Sequence, residues 1–213
     1  IGRGLGSSAA VSVALARAVC AAAGTEAPAE EARALAMAGE RCAHGQPSGI
    51  DPAVVAHGRP IRFHAGVVTE VAVRTPLELV VADSGEDRTT RAAVADVRQR
   101  RDAQPATFDG WFARIGSLVD EAVAALASGD VSKLGRLMNT NHLVLQAMGV
   151  STPALDRLVG AARSAGALGA KLSGAGGGGI VVALVRPEDV ASVSHALRAA
   201  GAVDVLATRV DAA

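Results

Sequence analysis

Gly4-Leu5-Gly6-Ser7-Ser8-Ala9-Ala10 lies almost at the start of the chain and runs without a break into an apolar stretch that ends at Ala23 and Gly24. Its glycines let backbone N–H groups turn inward with no Cβ in the way, and a helix opening at Ser8 adds the positive end of its dipole. Together these make a cradle for an anion, with two hydroxyls at the mouth for a metal ion or a phosphate oxygen. The pattern is neither G-x-G-x-x-G nor the Walker sequence with its Gly-Lys-Ser/Thr. A glycine-rich turn closed by Ser is also simply a good helix start, so this loop alone leaves both readings open.

A second glycine run, Lys171-Leu172-Ser173-Gly174-Ala175-Gly176-Gly177-Gly178-Gly179, stands between the apolar strands predicted at 170–172 and 180–185. Four consecutive glycines cost backbone entropy and stabilise no fold by themselves. A tight hairpin needs one or two. A flexible loop is the bland reading, and close approach of backbone to a ligand is the better one.

The third constellation is Glu40 with Asp51. Glu40 falls late on a helix predicted over 28–43, with Glu30 and Glu31 at the positive end of its dipole. Asp51 lies in His44-Gly45-Gln46-Pro47-Ser48-Gly49-Ile50-Asp51-Pro52, a segment whose Gly and Pro content predicts irregular structure. Paired acids are common on surfaces, but a Gly/Pro-rich turn is a costly way to display a solvated charge. Phosphoryl transfer needs one carboxylate for Mg²⁺ and another group beside the attacking hydroxyl.

Composition narrows the field. The chain has 213 residues, half of them hydrophobic, enough for one large or two small cores. Its 21 basic and 21 acidic residues balance, and no basic run argues for nucleic acid or an anionic membrane surface. The stretch from Ala9 to Ala23 is broken by Arg17 and too short to span a bilayer. Cys20 and Cys42 lack a disulfide framework, so reduced thiols and a cytoplasmic setting are expected. The five histidines show no metal-ligand spacing, and Arg98, Arg100 and Arg101 read as a solvated helix face.

Further along, strands are predicted over 60–63, 67–73 and 77–82, with a domain boundary at Arg74-Thr75-Pro76. Helices follow over 88–101, 106–128 and 131–148, and another opens at Ser151-Thr152-Pro153. After the second glycine run come a strand at 180–185, a helix near 188–200 and a last strand at 203–207.

Taken together, these segments resemble the GHMP kinases. Residues 4–10 match that superfamily's second motif, and 171–179 match its third, with Ser173 in place of the usual Thr. Glu40-Arg41 followed by the stretch from His44 to Asp51 resembles the mevalonate-phosphorylating branch. Asp83-Ser84-Gly85 with Thr89-Thr90, and Gly149 to Pro153, are similar to family segments as well.

The resemblance implies an α+β fold of two domains. Residues 1–75 would form an incomplete N-terminal domain of the ribosomal protein S5 domain 2-like type, and 76–213 a ferredoxin-like C-terminal α/β domain. It implies ATP and Mg²⁺ as cofactors and mevalonate, phosphorylated at its C5 hydroxyl, as substrate. Ser8 and Glu40 would hold the metal. Gly4, Leu5, Gly6, Ser7, Ser8 and Ala9, with Gly174 and Gly176, would wrap the nucleotide. Asp51 would take or steer the hydroxyl proton, while Ser48, Ala175 and Thr90 would face the substrate and the transferring phosphate. Phosphomevalonate, homoserine and sugar kinases share the glycine loops, and a non-catalytic ligand-binding relative is the alternative outside enzymology.

The chain opens on Ile1-Gly2-Arg3, where such a loop normally follows a strand. The family's first motif, with a lysine expected beside the catalytic Asp, lies upstream of the matched stretch. The reading is therefore of a chain without its first segment: a poor catalyst by itself, with exposed apolar surface that favours aggregation or a homodimer.

Overall fold

The computed structural model describes residues 6–44, 48–86 and 89–212. They divide into two compact units, Ile1–Val71 and Ala72–Ala213. The division falls a few residues before Arg74-Thr75-Pro76 because Val73 already packs with Leu77 and Leu184 in the core of the second unit.

The first unit is three helices and a hairpin: α1 (Ser7–Ala22), α2 (Ala29–His44), α3 (Ile50–His57), β1 (Ile61–His64) and β2 (Val67–Glu70). Helix α1 buries Ala9, Val13, Ala16 and Cys20, one face at helical spacing. Facing them are Ala32 and Ala36 of α2 and Ala53 and Ala56 of α3. Small side chains let the helix axes approach closely, and a Cβ on Gly39 of α2 would lie 3.1 Å from Ser12 Oγ. The Arg17 guanidinium donates to the Ala56 carbonyl at 2.7 Å, near the negative end of α3. On the opposite face of α1, Val11, Leu15 and Val19 are exposed.

Helix α3 is a correction, since the Gly and Pro content of residues 44–52 predicts irregular structure through its first turn. Gly49 sits in the left-handed region at φ 83° as its N-cap, and Pro52 falls in the first turn, where a missing N–H costs nothing. Asp51 thus stands at a helix N-terminus rather than in a loop. The thiol of Cys20 is buried and free; the side chains of Cys42 and His44, and residues 45–47, lie outside the described residues.

In the second unit, β3 (Leu77–Asp83), β4 (Gly169–Ser173), β5 (Ile180–Val185) and β6 (Asp204–Val210) form a sheet of order β4-β5-β3-β6. Every neighbouring pair is antiparallel. Helices α4 (Thr90–Ala103), α5 (Pro105–Ser128), α6 (Val131–Ala147) and α7 (Pro153–Ser164) join β3 to β4, and α8 (Val190–Ala199) joins β5 to β6. This is the split βαβ arrangement of a ferredoxin-like domain, with its first crossover expanded to four helices. Leu155, Leu158, Val159 and Ala162 of α7 and Val193 and Leu197 of α8 cover one sheet face, against Val80, Ala82, Val181, Ala183 and Val185.

Strand β4 lies at the end of the sheet, and α6 closes that edge. Gly135 of α6 lies so near Gly169 that a Cβ on either would strike the other's strand or helix: one added to Gly135 would be 2.5 Å from the Leu168 carbonyl oxygen. One turn on, Asn139 donates from Nδ2 to the Leu168 carbonyl at 3.4 Å and accepts from Ala170 N–H at 3.0 Å. Two turns on, His142 Nδ1 accepts from Leu172 N–H at 3.4 Å. Residues 135, 139 and 142 share one helix face, and they satisfy the backbone groups that an edge strand would otherwise present to water.

On α4, Arg98 and Arg101 are exposed as expected, and Arg100 departs from the expectation. Arg100 is half-buried: it grips Asp96 with Nε and Nη2 and donates from Nη1 to the carbonyls of Met148 and Gly149, both at 3.0 Å. It therefore ties down the chain where α6 ends.

Two helical glycines should respond in opposite ways. Gly135→Ala forces α6 off β4 and is expected to lower stability by about 1–3 kcal/mol. Gly160→Ala on α7 meets no atom within 4 Å and should raise it by about 0.5–1 kcal/mol through helix propensity. Urea unfolding of both variants checks the pair.

Candidate active site

In the first unit the candidate residues gather at the N-terminus of α1. Gly6 is its N-cap, left-handed at φ 68°, and the helix has no acidic residue in its first turn. Ser8, on that turn, donates its hydroxyl to Glu40 Oε1 at 2.6 Å. Glu40, late on α2, is only 5% exposed. A carboxylate so deeply placed needs strong partners, and a short hydroxyl bond beside a helix N-terminus supplies one.

Asp51 reaches the same place from α3. A Cβ built on Gly6 would sit 3.7 Å from Asp51 Cβ and 3.8 Å from its Cγ. Three elements distant in sequence thus bring a serine, two carboxylates and a glycine N-cap together. Ser7 is half-buried beside them, whereas Ala9 faces the core, so its contribution toward a ligand is limited to backbone. Ser48 is exposed and accepts from Ile50 N–H at 3.4 Å, a local turn at the entry to α3. Gly4 and Leu5 lie outside the described residues.

Among the described residues no group of three or more His, Cys, Asp or Glu side chains could hold a metal ion. The Ser8–Glu40 pair offers two hard oxygens. That number suits Mg²⁺, which keeps several waters and takes its remaining ligands from substrate phosphates.

The second unit carries the other glycine run, as the turn between β4 and β5. Gly174, Gly176, Gly177, Gly178 and Gly179 all have positive φ, between 75° and 132°. These glycines do not share one purpose. A Cβ on Gly176 would collide with the Val150 carbonyl, and one on Gly178 would lie 2.7 Å from the Glu86 carbonyl oxygen. Their absence of side chain is demanded by the protein's own backbone. Gly174 faces open space.

The loop is clamped on two sides. Gly177 N–H donates to the Val150 carbonyl at 2.8 Å, and Gly179 N–H to the Glu86 carbonyl at 3.0 Å. The clamps are linked, because Thr152 donates its hydroxyl to Glu86 Oε2 at 2.5 Å. Thr90 is exposed at the start of α4, whose N-cap Thr89 accepts from Ala92 N–H at 3.3 Å. Ala175 and Ser173 are half-buried.

Two ionisable residues near this loop escaped the sequence reading. Lys171, at the foot of the loop, is desolvated, which lowers its pKa, and among the described residues no carboxylate pairs with it. His142 is buried on α6. Desolvation pushes its imidazole below the usual range, while the Asp156 carboxylate pulls partly the other way. A lysine beginning a glycine run is a visible signal for the first. The second had none, because His142 meets its strand only through the fold.

The family description "GHMP kinases N terminal domain" matches residues 1–59, and "GHMP kinases C terminal" matches residues 122–203. The chain is 41% identical over 211 residues to a mevalonate kinase of Thermococcus sibiricus, covering 97% of this chain and 63% of that protein. A mevalonate kinase of Pyrococcus horikoshii is 41% identical over 215 residues, covering 99% and 63%. In structure the chain is similar to L. major mevalonate kinase in complex with R-mevalonate, with TM-score 0.91 and 34% identity over 98% of this chain and 66% of that one. A homoserine kinase from Cytophaga hutchinsonii, with TM-score 0.73 and 23% identity, shares the fold. The chain thus spans a little under two thirds of the length of the relatives it matches.

The depressed pKa of His142 fixes the sign of a pH effect. Unfolded, the imidazole takes up a proton near 6.5; folded, it resists until lower pH. Its contribution to stability is present above 6.5 and is lost as pH falls toward the folded value. Urea midpoints measured from pH 8 to pH 5 should therefore fall more steeply for the unaltered chain than for His142→Gln.

Proposed function

The chain belongs to the GHMP kinase superfamily, and from that premise we propose that it transfers the γ-phosphoryl group of ATP to the C5 hydroxyl of mevalonate. The observation that carries this reading is the convergence of Ser8, Glu40 and Asp51 on the N-terminus of α1. Identity of 41% to mevalonate kinases supports mevalonate as the acceptor within the superfamily.

Phosphoryl transfer is largely a matter of position and charge neutralisation. The N-terminus of α1 offers backbone N–H groups and a helix dipole to phosphate oxygens. Ser8 and Glu40 would hold Mg²⁺, which when bound neutralises charge on the β- and γ-phosphates. The positive-φ backbone around Gly174 and Gly176 offers a second set of amides, and Ala175 between them a small apolar surface. Lys171 adds positive charge at the foot of that loop.

Asp51 orients the attacking hydroxyl. Its carboxylate needs no raised basicity, because in a loose transition state the alcohol proton leaves late. Its place in the first turn of α3 sets it at the positive end of the helix dipole, which favours a negative charge there. Thr90 and Ser48, both exposed, remain available as hydrogen-bonding groups toward a ligand.

ADP release is the direct test, with ATP and Mg²⁺ and, in turn, mevalonate, phosphomevalonate, homoserine and galactose. Turnover is expected with mevalonate. Asp51→Ala should lower kcat by roughly 10²–10⁴ with little change in the KM for ATP. Glu40→Gln should instead raise the Mg²⁺ concentration needed for half-maximal rate. Preferential turnover of homoserine or galactose would overturn the choice of acceptor.

A further inference from the structure

Behind the second glycine loop lies a polar array that the proposed chemistry does not use. His142 Nδ1 accepts from Leu172 N–H, the last outward-facing amide of β4 before the loop begins. Nitrogen Nε2 of the same ring is enclosed and makes no directed hydrogen bond, yet it lies 3.2 Å from Asp156 Oδ1. That oxygen also accepts the Ser151 hydroxyl at 2.5 Å. Ser151 follows Val150, whose carbonyl holds Gly177 N–H. A chain of contacts thus runs from the strand before the loop, through α6 and α7, to the backbone clamp on the loop itself.

We propose that His142 is a positioning residue for the glycine loop, acting in its neutral form and coupled through Asp156 to the Ser151–Val150 clamp. The inference rests on the kinase reading in one respect, namely that the loop's ligand is the phosphate chain of ATP.

The argument is one of donors and acceptors. Leu172 is buried, and its outward N–H requires an acceptor. A ring nitrogen that accepts carries no proton, so the proton of the neutral imidazole is on Nε2, toward Asp156. One rung earlier, Asn139 meets the same requirement at Ala170 with an amide that cannot titrate. At the loop the group is one that can. Protonation would set an N–H against the Leu172 N–H, two donors face to face, and release the end of β4.

The charged groups around the ring are Asp156 and Arg163 on α7 and Lys171 on β4. Burial and the two cations oppose protonation, and Asp156 favours it; burial is the largest influence. The latch is therefore closed at neutral pH and opens in acid.

The test follows amide hydrogen exchange at Leu172 and Gly177 from pH 8 to pH 5, corrected for the intrinsic pH dependence of exchange. Calorimetric titration with a non-hydrolysable ATP analogue and Mg²⁺ runs alongside. In the unaltered chain, protection at both amides should fall as pH is lowered, and the analogue should bind more weakly. His142→Leu, which removes the acceptor, should lose protection at every pH and weaken the analogue roughly tenfold. His142→Gln retains an acceptor that does not titrate; it should keep protection and flatten both pH profiles. Ser151→Ala, a milder change, should raise exchange at Gly177 more than at Leu172.

Unchanged exchange in His142→Leu, or an unaltered pH profile in His142→Gln, would overturn the proposal. Failure of the unaltered chain to bind the analogue would overturn the kinase reading instead, and the exchange experiment would still decide the role of His142.

Discussion

The edge of strand β4 must be closed by something, and α6 closes it. An outermost strand leaves every second N–H and C=O without a partner, and buried groups of that kind cost free energy comparable to a lost hydrogen bond. Here the backbone of α6 presses directly on β4 at Gly135 and Gly169, and Asn139 and His142 complete the ladder. Because β4 leads straight into the second glycine run, the same contact sets where that loop starts. Arg100 then fixes the end of α6, so the segment that clamps the loop is tied to the helix that closes the strand.

The two glycine loops work in different ways. At the first, one glycine in a left-handed conformation lets α1 begin without a side chain over its exposed amides, and the functional groups come from elsewhere: Ser8 from α1, Glu40 from α2, Asp51 from α3. At the second, several glycines are needed because the loop lies against its own scaffold. Gly176 and Gly178 are spent on internal contacts with Val150 and Glu86, while Gly174 faces open space. A run of glycines is thus a poor guide to how many residues touch a ligand.

Small residues shape the first unit in a related manner. Alanines at the α1–α2–α3 contacts bring the helix axes close, and that closeness delivers the Glu40 carboxylate to the Ser8 hydroxyl at 2.6 Å. Larger side chains at Ala32, Ala36 or Ala53 would stabilise an isolated helix pair well enough, but they would hold the carboxylate away from the helix terminus.

Several features were legible in the sequence alone. Helices α1, α2 and α4 to α8 and strands β3 to β5 appear near their predicted places, because their apolar periodicity and their bounding Gly, Ser and Pro signals are local properties. So are the two glycine runs and the suspicion attached to Glu40 and Asp51. The tertiary structure decided the rest. It made Asp51 part of a helix, since Gly49 and Pro52, which read as breakers, are both acceptable at a helix start. It turned Arg100 from a solvated charge into a donor to the Met148 and Gly149 carbonyls just past α6. It placed His142 on Leu172 and Asp156, thirty and fourteen residues away. Local sequence encodes which groups each element offers; only the packing of elements decides which donor meets which acceptor, because that depends on distances the chain order does not contain.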